Sequence, residues 1–445
     1  MTHRIGWNRW LAAALAVAVV TALAVVLGVA KVTTHHPSWR PASNYSPAAS
    51  SDGATVTWGG DGLVHDYARI ANGDLVEFVN NNVGGQPWNA YDLSVGAPGG
   101  GPIAADPVAE WSCCNGPTSP TDPYIHVYAR TPAGDLVEYV NNNVGGHLWN
   151  AYDLSAAAGG GGPITGKPAV AYDYLDNTPH VYVDTPSGHV TEYVHDNVNG
   201  HVWNTYDLSV GAGGGGPIAG DVTAFESTTR DGFIHVYART AGGDLVEYVD
   251  DGVGGHLWNA YDLSVGAGGG GSVGGSPVGL SLSTPCDAAD NLIHVYVATP
   301  IGQLVEYVDD GVGGHLWNAY NLSVGAGGGG AVTGRPSLVF ADCGDGLVHV
   351  YVDTPAGQLT EYVNDNVNGH PWNAYDLSAG AAGGASIIGD ASSVEGPAPS
   401  KHEELISVFA WSPGGAGNDL MYYVNQPASG HPWSVTDLSA VTAAR

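Results

Sequence analysis

The sequence predicts an all-β fold: a seven-bladed β-propeller with four-stranded blades, preceded by one N-terminal transmembrane or signal helix. Three observations predict it. A unit built on "WNAYDLS" returns at Trp88, Trp149, Trp203, Trp258, Trp317 and Trp372, and in the degenerate form "WSVTDLS" at Trp433, with 54 to 61 residues between copies. Within each unit, apolar and polar residues alternate with the period of two that strands impose. Ahead of the first unit lies an apolar run without a charge, long enough for a membrane-spanning helix.

In chain order, residues 1–9 form a basic segment carrying Arg4 and Arg9, and Trp10 to Ala30 is the uncharged run, closed by Lys31. About 20 apolar residues span a bilayer as a helix, and the basic flank favours a cytoplasmic amino terminus. The run exceeds the about 7 to 15 residues usual in the core of a cleaved signal, although Gly28 and Ala30 would fit a small-residue cleavage site. The expectation is a cell-membrane protein, single-pass with everything after Lys31 outside, or a secreted one if residues 1–30 are removed. Residues 31–52, rich in Ser, Pro and His, read as a stalk, and residues 53–445 as the propeller domain.

A single unit reads as four short strands. Residues 292–297 (LIHVYV) alternate, "TPIGQ" supplies Pro and Gly turn chemistry, and "LVEYV" follows as the second strand of a hairpin. A polar turn such as "DDGVGG" leads to "LWNAYDLS", read here as one strand, and a Gly-rich loop crosses to a more variable strand that opens the next unit. Four strands per unit in seven units is the signature of a propeller, whose blades stack face to face and bury both faces. Blade 1 begins near Gly53 and blade 7 ends at Asp437 to Ser439, so no strand needs to exchange places to close the ring.

Composition narrows the partners. Twelve Lys and Arg stand against 43 Asp and Glu, a formal net charge of −31, and such a surface repels nucleic acid and anionic headgroups. Nucleic acid is excluded on that ground, and membrane contact is expected through the N-terminal helix only. A neutral saccharide carries no such penalty. Four cysteines agree with an oxidising compartment. Cys286 and Cys343 lie eight and six residues before the same repeat histidine, so a bridge between adjacent repeats is reasonable; Cys113 and Cys114 could pair as a vicinal disulfide; free buried thiols are the alternative. The Cys-x2-Cys spacing of structural zinc is missing, and no metal site is expected.

Blades 1 to 6 each place a glutamate in the apolar "LVEYV" strand: Glu77, Glu138, Glu192, Glu247, Glu306 and Glu361. Each follows a histidine of the preceding strand by 12 residues, namely His65, His126, His180, His235, His294 and His349, and each precedes its blade's tryptophan by 11. The even spacing across a hairpin puts His and Glu on one face. Blade 7 keeps Trp433, Asp437, Leu438 and Ser439 but has Ser407 and Tyr422 in the two charged positions, which points to a structural role for the tryptophan and a functional one for the pair. Two readings of the pair remain. It could satisfy itself between packed blades, as buried polar groups do. Alternatively, it could furnish up to six equivalent clefts in which carboxylate, imidazole and a nearby aromatic face meet sugar hydroxyls and the apolar face of a pyranose.

The run "IHVYARTPAGDLVEYV…GGHLWNAYDLS" resembles the blade repeat of the fucose-binding propeller lectins of fungi and bacteria, which have six blades, and in blade count is closer to the seven-bladed propeller lectins of insect-pathogenic bacteria. The resemblance covers about residues 53–439. It implies carbohydrate binding in clefts between blades, with the six glutamates on the family's sugar-binding glutamate and Trp88, Trp149, Trp203, Trp258, Trp317 and Trp372 on a stacking position. The family's arginine is histidine here, and its second tryptophan is Asn80, Asn141, His195, Asp250, Asp309 or Asn364. Imidazole lacks the planar donor fork of guanidinium, which separates this chain from fucose more than from glycans in general.

Other signals carry less. "GGPITGK" (161–167) imitates a phosphate loop, but Pro168 replaces the magnesium-binding hydroxyl. Ser272 between Gly270 and Gly274 imitates a nucleophile elbow within a Gly-rich loop. "HEE" at His402 lacks the second histidine of a zinc helix. Acidic turns such as Asp250–Asp251–Gly252 could hold calcium, yet they lack the alternating acidic spacing of known loops, and an ordinary Asx-Gly turn accounts for them. One pair repeated six times suits multivalent binding better than one preorganised catalytic centre, so no enzyme is expected. A non-catalytic scaffold binding an unidentified protein is the runner-up, and a cell-wall glycan hydrolase the third reading.

Overall fold

A computed structural model of the chain describes residues 54–442 apart from loop segments at 59–61, 84–85, 113–123, 143, 147, 159–160, 174–177, 197–201, 213, 228–230, 252–256, 283–290, 315, 342–344, 382–383, 398–403, 415–417 and 426–432. The N-terminal helix, the stalk and all four cysteines lie outside the described residues. Among the described residues no helix is long and apolar enough to cross a membrane.

Seven antiparallel sheets of four strands follow one another along the chain, at residues 54–92, 108–153, 165–207, 223–262, 278–321, 333–376 and 388–437. In each sheet the strands pair in sequence order, so every blade is made from one continuous stretch and none borrows a strand from elsewhere. First strands of neighbouring blades lie against one another, including Ala54–Trp58 of blade 1 against Ile388–Pro397 of blade 7, which closes the ring and makes the first strand innermost.

The core sits between blades. Apolar clusters join blades 2 and 3, 3 and 4, 4 and 5, 5 and 6, 6 and 7, and 7 and 1. Strand pairs buried on both faces lose the polar alternation of a half-exposed sheet, which is why all five residues of Leu245–Val249 (LVEYV) are buried.

The "DLS" motif is not the end of a strand. In blade 4 the strand stops at Asp262 (Asn259–Asp262) and a single helical turn, Leu263–Gly266, begins. Asp262 caps that turn by accepting from the Val265 amide, as short acidic side chains do at helix starts. Leu263 is buried, and the Ser264 hydroxyl accepts from the Leu245 amide at 2.8 Å, satisfying a third-strand donor. The same Ser-to-strand bond recurs in every blade, from Ser94 to Ser439. The loop that follows is Gly-rich because the third-strand tyrosine of the next blade reaches into it. Tyr139, for example, donates to Gly101 O at 2.7 Å. Gly215, at φ +92°, lies where a Cβ would collide with the Tyr248 hydroxyl. Blade 1 carries Phe78 at this position, and packs it against blade 7.

Candidate functional site

The second and third strands of each blade pair so that tyrosine and glutamate are directly opposed: Tyr67 with Glu77, Tyr128 with Glu138, Tyr182 with Glu192, Tyr237 with Glu247, Tyr296 with Glu306 and Tyr351 with Glu361. The histidine lies two residues before the tyrosine, hence on the same face and diagonal to the glutamate. In all six blades histidine Nδ1 lies 2.7–2.9 Å from glutamate Oε1. The tyrosine hydroxyl donates to that same oxygen at 2.8–3.4 Å. The tyrosine is a member of the site that spacing alone did not single out, although "HVY" carries it two residues from the histidine. The carboxylate's other oxygen, Oε2, is neither hydrogen-bonded to the described protein nor sealed from solvent.

The fourth strand brings a further residue to the same face. Glu77, Glu138, Glu192, Glu247, Glu306 and Glu361 are opposed on that side by Tyr91, Tyr152, Tyr206, Tyr261, Tyr320 and Tyr375. Five of these rings are 41–44% exposed, the largest exposed aromatic surfaces of the fourth strands. They are held by their hydroxyls: Tyr206, Tyr261, Tyr320 and Tyr375 donate to Asp196, Asp251, Asp310 and Asp365, while Asn81 and Asn142 serve Tyr91 and Tyr152. The hydrogen bond that it donates to Asp196 pushes the Tyr206 hydroxyl up to about 12. These acids are therefore occupied by protein donors, as is Asp250, whose Oδ1 accepts from the Ile234 amide.

The tryptophans lie elsewhere. Trp88, Trp149, Trp203, Trp258 and Trp317 are only 2–7% exposed, and Trp372 is half-buried. Ring contacts cross the seams: Trp149 packs edge-on to Tyr67 at 5.8 Å, Trp258 to Tyr182 at 6.0 Å, Trp317 to Tyr237 at 6.1 Å and Trp372 to Tyr296 at 5.9 Å, while Trp203 also meets His195 of its own blade edge-on at 5.5 Å. A tryptophan therefore meets the His–Glu–Tyr group of the preceding blade, not that of its own. Where the lectin repeat has a second tryptophan, this chain has Asx residues whose side chains hold the start of the second strand: Asn80, Asn141, Asp250, Asp309 and Asn364 accept from the amides of Val64, Ile125, Ile234, Ile293 and Val348.

Two histidines carry a second carboxylate. Asp231 Oδ1 lies 3.3 Å from His235 Nε2, and Asp345 Oδ1 lies 3.2 Å from His349 Nε2. Burial works against the imidazolium, but the hydrogen bonds and charges of the two flanking carboxylates overcome it and raise both histidines to about 9. The sequence has an aspartate four residues before all six histidines, at Asp61, Asp122, Asp176, Asp231, Asp290 and Asp345. Of these, only Asp231 and Asp345 fall among the described residues.

Blade 7 lacks the whole face. Ser407 replaces histidine, Phe409 the buried tyrosine, Tyr422 the glutamate and Thr436 the exposed tyrosine, with Phe409 opposite Tyr422 and Tyr422 opposite Thr436. The Ser407 and Tyr422 hydroxyls lie 3.3 Å apart. Trp433 is retained and packs on Tyr351 of blade 6 at 6.1 Å. Among the described residues no group of three or more His, Cys, Asp or Glu side chains is placed to hold a metal ion.

No family model matches the sequence, and no curated protein matches it. Solved structures do match. A lectin of Burkholderia pseudomallei is 17% identical with a TM-score of 0.54, over 88% of this chain and 98% of its own. The lectin of the fungus Aleuria aurantia, described as a six-bladed propeller with a novel mode of fucose recognition, is 15% identical with a TM-score of 0.44, over 75% of this chain and 96% of its own. AofleA of Arthrobotrys oligospora is 17% identical with a TM-score of 0.42, over 71% and 82%. At these identities the likeness is one of fold: this chain is a seven-bladed β-propeller whose architecture resembles that of the Burkholderia pseudomallei lectin.

Proposed function

We propose that this chain is a multivalent, non-catalytic carbohydrate-binding protein with up to six equivalent sites, one on each of blades 1 to 6. The observation that carries the reading is the state of the glutamate. Its Oε1 is saturated by histidine and tyrosine while Oε2 stays open beside an exposed tyrosine ring on the same face. An oriented carboxylate acceptor next to an aromatic face suits a sugar, whose hydroxyls donate and whose C–H face packs on a ring. In this reading His65, His126, His180, His235, His294 and His349 orient the carboxylates, Glu77, Glu138, Glu192, Glu247, Glu306 and Glu361 accept from the sugar, and Tyr91, Tyr152, Tyr206, Tyr261, Tyr320 and Tyr375 are the platforms. The tryptophans support the site from behind by fixing the buried tyrosine.

Blade 7 supports this division. It loses histidine, glutamate and both tyrosines together and keeps the half-buried tryptophan, the split expected if the first set serves a ligand and the second the fold. The propeller likeness to known lectins agrees with the reading. By the N-terminal sequence we place the propeller outside the cell, anchored through residues 10–30 or secreted.

The test is a glycan array probed with the full chain and with a variant in which the six glutamates are changed to Gln. Binding in the parent and none in the folded variant is expected. Binding that survives the variant would remove the glutamates from the site. A second reading, a protein-binding scaffold, draws on exposed Leu257 (71%), Leu316 (64%) and Val312 (56%), which precede the fourth strands in the chain. Complete silence on the array would favour it.

A further inference from the structure

Away from the glutamate face, at the end of the second strands of blades 3 and 6, the chain builds one constellation twice. In blade 3, Thr165 and Gly166 open the first strand (Thr165–Asp173) and Asp184 closes the second (Thr178–Asp184), while Asp221 leads into blade 4. In blade 6, Thr333, Gly334 and Asp353 occupy the same places, and Asp390 of blade 7 matches Asp221. Thr165 Oγ1 donates to Asp184 Oδ2, and Thr333 Oγ1 donates to Asp353 Oδ2 at 2.6 Å. Both first strands carry an irregularity in register here: Thr165 and Thr333 still pair with Asp184 and Asp353, and Gly166 and Gly334 fall in the gap of the ladder that follows.

The two carboxylates of each copy converge. A Cβ placed on Gly166 would meet Asp221 Oδ1 at 2.5 Å and Asp184 Oδ1 at 2.7 Å, so both oxygens border one small space beside the glycine. At Gly334 a Cβ would likewise collide with Asp390 Oδ1 and lie 2.7 Å from Asp353 Oδ1. Both glycines have positive φ, +66° and +71°, which places them where they leave that space open.

Asp184 is 7% exposed, and its Oδ1 is enclosed without a hydrogen-bond partner. Asp221 Oδ1 receives only the Lys167 amide, at 2.8 Å. Neither acid forms an ion pair with a described Lys or Arg; the Arg130 charge acts on Asp184 only at a distance. Two carboxylates meeting in a buried space with an orphaned oxygen lack the opposite charge that burial normally demands. Burial and the Asp221 charge push the Asp184 carboxyl up to about 6.

We propose that a hard divalent cation of the calcium class binds at the blade 3 constellation, bridging Asp184 to Asp221 across blades 3 and 4. Such ions take carboxylate and neutral oxygen ligands at about 2.3–2.6 Å and complete their shell with water. The site offers two carboxylates and the neighbouring Thr oxygen, two negative charges against two positive. Its consequence is a clamp between neighbouring blades, stabilising the ring by mass action. These residues differ from those assigned to carbohydrate, so the proposal stands or falls independently of the glycan reading.

The experiment uses the full chain stripped with EDTA, titrated with CaCl2 and separately with MgCl2 by calorimetry, and melted with and without each ion. One equivalent of calcium and a rise of about 3 °C or more in the unfolding midpoint are expected. Asp184→Asn should leave none; Asn still accepts from the threonine, so the local hydrogen bond survives. A parent midpoint that is identical in EDTA and in millimolar calcium or magnesium overturns the proposal, whether or not the variant folds. So does undiminished binding by Asp184→Asn. A shared proton in place of the ion would show as no cation response and a stability that falls as pH rises through about 6.

Discussion

The imidazoles of His235 and His349 each lie between two carboxylates, and their charge state links the site to pH. Both are 3–4% exposed, and both are raised from the ordinary histidine value to about 9. A folded-state value above the unfolded one means that the native protein binds more protons in that interval. The stabilisation is therefore fully present below about pH 6.5 and is lost as pH rises through about 9. The unfolding midpoint of the parent should drop between pH 7 and pH 10, and Asp231→Asn with Asp345→Asn should flatten that drop. A parent midpoint that is level over this range would show that the imidazoles are neutral throughout. Beside the buried histidine, the exposed tyrosine separates ligand from fold. Tyr261→Ala removes a ring that is 41% exposed and should change stability by less than about 1 kcal/mol. In the proposed reading it weakens glycan binding at that blade.

At the scale of the element, the buried tryptophan and the "DLS" serine hold strands and seams. Trp258 fills the junction between blades 3 and 4, so Trp258→Ala should cost about 3–5 kcal/mol, read from chemical denaturation. Ser264→Ala leaves the Leu245 amide without its acceptor and should cost about 1–3 kcal/mol. A loss near zero for Trp258→Ala would return the ring to the role of a sugar platform. The sequence made some of this legible. Alternation in "LIHVYV", the Pro-Gly turn and the "LVEYV" that follows predict the hairpin, and the 12-residue spacing predicts the shared face on which His235 meets Glu247. The helical turn at Leu263–Gly266 was hidden, because four residues are too few to display a 3.6-residue period, and "NAYDLS" continues the strand alternation into it. Asp262 three residues before Val265 was the available signal. The tryptophan's true partner was out of reach for another reason: Trp149 meets Tyr67 across a seam, and local spacing encodes no contact between separate repeats.

Across the whole molecule, ring closure depends on side chains at the seam between blades 7 and 1. Among the described residues no strand of one sheet comes from the other end of the chain, so no shared ladder locks the ring there. Trp88 packs on Tyr422 at 4.9 Å and on Phe409 at 5.7 Å, and the Ser392 hydroxyl donates to the fully buried Asp66 at 3.1 Å. This seam also differs chemically from the other six, since Phe78 replaces the tyrosine whose hydroxyl elsewhere enters a Gly-rich loop. Removing apolar bulk here tests whether the ring melts as one unit. Each blade buries its faces only against neighbours, so opening one seam exposes two blades while the remaining seams stay intact, and stability in such arrays is carried by nearest-neighbour contacts. Phe409→Ala should cost about 3–5 kcal/mol at the seam, and proteolysis should then cut first within blade 1 or blade 7. Trp317→Ala breaks an interior seam instead, and there blades 4 and 5 remain joined by the chain that connects them. If both variants show one transition at the same midpoint with no preferred cleavage, the seven blades form a single cooperative unit. If Phe409→Ala alone gives early cleavage in the first and last blades, the closing seam is the weakest place in the ring. Multivalent binding through several blades would then also depend on its integrity.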